Sequence, residues 1–216
     1  MAQSSPFDLQ SACFALTHNI QARRLRPSLF APNQVVTKLM VHLFDVHSAA
    51  LKRNFAVYVV VARGDNETLL YVGKTGDNRE GCNPIISRCG NHFSYNKIHS
   101  QVRNKIEVHE NWHYTYVFDH FDQYPDDPVV REVCVDKINE MERWLNSKIQ
   151  ELVGKRAGVR LLNPYHGTGY RSKSEQERRN SYRTEDAESK LIEIVAEVDR
   201  MLANDAIGSR GNSALV

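Results

Sequence analysis

The run Phe55-Ala56-Val57-Tyr58-Val59-Val60-Val61-Ala62 most narrows what this chain can fold into. It is almost wholly apolar and β-branched, and it is too short for an independent helix. Gly64-Asp65-Asn66 follows it with turn chemistry. Leu69 to Val72 is the next apolar stretch, so the two segments are predicted to pair as an antiparallel hairpin.

The rest of the organisation is read outward from that hairpin. Gly76-Asp77-Asn78 and Gly81 form a loop, and Pro84 starts a helix with Ile85, Ile86, Cys89 and Phe93 on one side. Arg88 and His92 are four apart on that helix, so they emerge on one face. A second helical piece is expected over about residues 97–106, and His113 to Phe118 alternates as a third strand. Residues 128–153 form a long helix whose apolar stripe is Val130, Val133, Cys134, Ile138, Met141, Leu145 and Ile149. Leu161-Leu162-Asn163-Pro164 closes the unit. Upstream, residues 6–24 and a segment capped by Asn33 are predicted helices; the second turns Val35, Val36, Leu39, Met40, Leu43 and Phe44 inward. Residues 166–184 read as a polar connector, 185–203 as an amphipathic helix, and the tail beyond Asp205 as disordered.

The expected fold class is therefore α/β of the α+β kind: a small three-stranded sheet, mixed or antiparallel, flanked by helices. The predicted divisions are a helical N-terminal extension (1–53), the central α/β domain (54–165), a basic linker (166–184), and a C-terminal amphipathic helix and tail (185–216). Hydrophobic content of 41% and charged content of 25% suit a globular chain of this length.

A net charge of +2 does not by itself point to nucleic acid, but its distribution is uneven. Arg23, Arg24, Arg26, Lys38, Lys52 and Arg53 face only Asp8 and Asp45 before Asn54. Arg171, Lys173, Arg178, Arg179 and Arg183 face Glu175 and Glu177 further on. Basic runs on both sides of the α/β unit suit a polyanion, with Arg171, Lys173, Arg178 and Arg179 as candidate DNA contacts; solvated helix faces are the alternative reading. Cys13, Cys82, Cys89 and Cys134 show no C-x-x-C pairing, and neither an export segment nor a membrane span is legible, so a reduced cytoplasmic setting is expected.

Within one small unit the chain then gathers Tyr58, Tyr71-Val72-Gly73-Lys74 and Arg88-x-x-x-His92, with Glu142 on the long helix and Asn163 after it. Together these resemble the GIY-YIG nuclease family, over roughly residues 54–165; Ala56 stands where the family name implies glycine. The resemblance implies hydrolysis of DNA phosphodiester bonds with one divalent metal, Mg²⁺ or Mn²⁺. It implies that Tyr58 activates the water, that Tyr71 and Arg88 orient and stabilise the phosphate, and that His92 and Lys74 assist proton transfer. Glu142 would be the metal ligand and Asn163 a supporting residue.

The residues suit those roles on their own chemistry. Arg88 stays charged at any working pH and offers a fork matched to phosphate oxygens. A phenol titrates near 10 and needs a basic or cationic neighbour to act on water. One carboxylate suffices for a hard cation that keeps its waters. Gly73 allows close approach beside Tyr71, and Glu140 is the second-choice carboxylate, placed farther from the apolar stripe.

Two readings compete with a restriction-like, mobile-element or repair nuclease. One is a non-catalytic nucleic-acid-binding protein with the same fold. The other is a zinc peptidase, because His109-Glu110-Asn111-Trp112-His113 spells H-E-x-x-H. The alternation from His113 onward puts that motif on a loop-to-strand junction rather than a helix. A homodimer would follow if both strands are cut together, and the last helix offers it an apolar face.

Overall fold

The computed structural model describes residues 42–76, 82–96, 98, 100–167 and 172–211, with side chains up to 204. The two predicted N-terminal helices and Arg171 therefore lie outside the described residues, apart from His42, Leu43 and Phe44, where the chain is not helical and Leu43 and Phe44 are exposed rather than turned inward. Strand β1 (Asn54–Arg63) pairs antiparallel with β2 (Thr68–Lys74), as the hairpin pattern predicts. On its other side β1 pairs antiparallel with β3 (His113–Gln123), and the register shifts once between Phe55 and Ala56. The sheet is four-stranded rather than three-stranded: β4 (Val159–Leu161) adds in parallel to β2, giving the order β3-β1-β2-β4. A three-residue strand carries too little alternation to be seen in sequence.

The sheet is covered on both faces, which is why β1 can be continuously apolar. Phe55, Val57, Val59 and Val61 pack with Leu70 and Val72 against α2 (Pro128–Val153) and α4 (Glu185–Gly211). The opposite face, with Ala56, Tyr58, Val60, Leu69 and Tyr71, packs under Ile85 of α1 (Ile85–Phe93) and under Val102 and Ile106. Helix α2 begins as its sequence prescribes: Asp127 accepts hydrogen bonds from the amides of Val129 and Val130, and Pro128 follows it. In α4, Ala187, Leu191, Ile194, Val198 and Leu202 make the buried seam. None of the described helices is long and apolar enough to cross a membrane.

Four expectations change. Among its described residues, the 97–106 piece contains only a 3₁₀ turn at Arg103–Lys105. Val130 and Val133, assigned to the buried stripe of α2, are half exposed, because the first turns of that helix overhang the sheet while Ile138 to Ile149 lie across it. The polar connector contains helix α3 (Lys173–Asn180), started by the Ser172 hydroxyl, which accepts from the Glu175 amide. Helix α4 runs on to Gly211, past the point where a disordered tail was expected.

Candidate active site

Each residue of the predicted cluster is fixed by the element that carries it. Tyr58 lies opposite Gly73 across the β1/β2 ladder. A Cβ at position 73 would lie 2.5 Å from both Cζ and Oη of Tyr58, so only glycine leaves room for the phenol. The close approach foreseen at Gly73 is thus taken up by Tyr58 itself. From α1, His92 brings Nε2 to 2.6 Å from the Tyr58 hydroxyl, and its ring stands edge-on to Tyr71 with centroids 5.0 Å apart. Tyr58 and His92 are both fully buried.

Burial dominates the electrostatics. It raises the Tyr58 pKa far above the ordinary phenol value, against the lowering effect of Arg88, which also hydrogen-bonds the phenol. Burial, helped by the Arg88 charge, pushes His92 down to about 4. At neutral pH the pair is therefore an uncharged phenol beside an uncharged imidazole, with the Arg88 cation alongside. Glu142 also acts on Tyr58 through its charge, so the groups share one site.

Glu142 meets the cluster from α2, its Oε2 3.2 Å from Lys74 Nζ at the end of β2. It borders a cavity of about 330 Å³ that is also lined by Lys74, Asn139, Asn146, Asn163 and Tyr165. Glu140 does not reach this cavity. Two positions apart on a helix is about 200° around its axis, which sends Glu140 into a buried site where Arg183 donates to it through Nε and Nη2 at 3.0 and 2.7 Å. Glu140 was expected farther from the buried face than Glu142 and is instead the more buried of the two. The described residues bring no three of His, Cys, Asp and Glu together, so a metal here would rest on Glu142 alone among charged ligands. A carboxylate among amide side chains, open to a polar cavity, is a donor set for a hard cation that retains waters.

Asn163 is a sheet residue in function. Its Oδ1 accepts from the Val72 amide at 3.0 Å and its Nδ2 donates to the Val72 carbonyl at 2.7 Å, continuing the β2/β4 ladder by a side chain. Asn163→Ala is expected to cost about 2–3 kcal/mol by leaving both Val72 groups without their partner. Urea denaturation compared with wild type measures this.

Sequence reasoning missed two members. Tyr116, opposite Val60 on β3, puts its ring 5.8 Å from that of Tyr58 and 6.3 Å from His92. The alternation of β3 was the signal, since Tyr114, Tyr116 and Phe118 all pack on the Tyr58 face. Lys105 holds its ammonium 5.6 Å above the Tyr71 ring and donates to the Leu162 carbonyl, and partial burial lowers its pKa; no local pattern marks it.

Three of the predicted DNA contacts fall on helix α3. Arg178 pairs with Asp136 of α2, Arg179 pairs with Glu175, and Lys173 is exposed at the start of α3. His109–Asn111 is a 3₁₀ turn and His113 opens β3, so the H-E-x-x-H residues do not share a helical face.

The His92 environment makes stability pH-dependent. An unfolded histidine titrates near 6.5, whereas folded His92 stays neutral down to about 4. The unfolded chain therefore binds more protons between those values. The stability contributed by neutral His92 is present in full above pH 6.5 and is lost as pH falls toward 4. Denaturation midpoints at pH 7.5 and 5.0 should differ less in His92→Gln than in wild type.

No family model, no curated protein and no solved structure matches the chain.

Proposed function

We propose that the protein is a metal-dependent endonuclease that hydrolyses DNA phosphodiester bonds with GIY-YIG-like chemistry. The observation that carries this reading is the 2.6 Å bond between Tyr58 and a histidine held neutral, beside Arg88 and across from Glu142. A phenol with a high pKa cannot act as a standing base. It can pass its own proton to His92 Nε2 while taking one from a water on its other side, so two uncharged groups form a relay. Arg88 offers its fork to the phosphate oxygens as negative charge builds on them. Tyr71, packed edge-on against His92, fixes the ring that receives the proton. Lys74 is placed to protonate or neutralise the leaving oxygen once Glu142 is engaged elsewhere. Glu142 would hold the divalent ion, Mg²⁺ or Mn²⁺, which supplies Lewis-acid stabilisation of the phosphate charge.

A nucleic-acid-binding protein that does not cut is the second reading, and cleavage separates the two. The test is incubation of the purified protein with plasmid and duplex panels in Mg²⁺, Mn²⁺ or chelator. Nicking that needs the metal supports the reading. Salt-sensitive binding without cutting on any panel member supports the binding-only alternative.

A further inference from the structure

Helix α2 carries two polar stripes, and the nuclease reading uses only one. Asn139, Glu142 and Asn146 face the candidate active site. About 100° around the axis, Glu140, Arg143, Ser147 and Gln150 line a second cavity of about 640 Å³ with Tyr165, His166, Gln176 and Arg183. Arg143 and Tyr165 border both, so the two cavities adjoin. The volume lies within the range of about 300–1,000 Å³ usual for small-ligand sites.

The walls of the second cavity hold hydrogen-bonding capacity that the fold does not use. Arg143 Nη1 is buried and makes no hydrogen bond among the described residues; it forms an ion pair with Glu140 at 3.6 Å, too long for a hydrogen bond. Gln150 spends Nε2 on the Asn146 side chain and the Tyr165 carbonyl, at 2.9 and 3.0 Å, which fixes its amide. The Tyr165 ring supplies a flat face, with the Arg143 guanidinium 5.8 Å from its centroid. A buried donor left unmet is costly and points to an acceptor that arrives from outside.

We propose that this cavity receives one unpaired nucleobase of the strand being cut, next to the phosphate held at Glu142; the inference rests on the nuclease reading. Ser147 and Gln150 lie about 8 and 12 Å along the helix axis from Glu142, within reach of a neighbouring nucleotide. A donor, an amide carbonyl and an aromatic face match the edge and face of a base.

The probes are the four deoxynucleoside 5′-monophosphates at millimolar concentration in chelator, followed by saturation-transfer NMR. Transfer is expected to be strongest to base protons. Ser147→Phe, which fills the cavity, should weaken it at least about tenfold, and Glu142→Ala should change it less than about twofold. If Ser147→Phe does not fold by circular dichroism, Gln176→Ala on the far wall should weaken binding about threefold.

Absence of transfer to base protons, or equal transfer in the pocket variants, overturns the proposal. Cleavage by the wild-type protein without nucleotide binding overturns the pocket alone, and absence of both binding and cleavage in the wild-type protein overturns both readings. Pocket-dependent nucleotide binding without cleavage keeps the pocket and removes the nuclease.

Discussion

Arg88→Ala and Glu142→Ala are each expected to lower metal-dependent DNA cleavage by about a thousandfold or more, the scale on which preorganised charge stabilisation contributes to such reactions. The two losses have different causes and different secondary signatures. Arg88 depresses the His92 pKa through its charge and holds the Tyr58 phenol by a hydrogen bond. Burial is the larger cause of the low His92 pKa and remains, so removing Arg88 should raise it from about 4 while leaving it below the ordinary value, and NMR titration of the imidazole detects that shift. Glu142→Ala should leave His92 much less affected, because Glu142 pairs with Lys74 instead. It should abolish the dependence of any residual activity on metal concentration. Arg88→Lys keeps the charge without the fork, so it should recover only part of the loss. Equal cleavage by wild type and both alanine variants would remove the nuclease reading.

Much of this site was legible because its chemistry sits at short range in sequence. Tyr58, Tyr71, Arg88 and His92 fall on a hairpin and the next helix, where periods of two and 3.6 residues already assign faces. The boundaries of α2 were legible for the same kind of reason: Asp127-Pro128 is a capped start, and Gly154 follows the last turn. What stayed hidden depends on contacts between distant segments. The β4 strand exists because three residues meet β2 in parallel, and Asn163 extends that meeting with a side chain. Glu140 and Glu142 were distinguished by the apolar stripe, yet the burial of Glu140 depends on Arg183, which lies beyond α3. Lys105 reaches Tyr71 from a 3₁₀ turn that no periodic pattern announces.

Three glycines, replaced one at a time by alanine, should give three different stability changes, and the largest is at Gly76. There φ is +103° and a Cβ would lie 2.0 Å from Cδ1 of Phe55, a ring buried in the core beside α2. Gly76 follows Thr75, whose amide donates to the Ala56 carbonyl and whose hydroxyl donates to the Asn54 carbonyl, so the turn is pinned to β1 and cannot swing away. Backbone strain and the displacement of a buried aromatic add, and Gly76→Ala is expected to cost about 4 kcal/mol or more. That corresponds to a fall of about 8–16 °C in Tm for a chain of this size. Gly158 has a positive φ of +74° but nothing within 4 Å of its Cβ position, so Gly158→Ala carries the strain without the clash and should cost about 1 kcal/mol. Gly90 lies exposed in α1 with open space around it, and Gly90→Ala should stabilise by about 0.5–1 kcal/mol through helix propensity. Calorimetry on the three variants checks the order. A Gly76→Ala protein as stable as Gly158→Ala would mean that Phe55 does not pack against this turn.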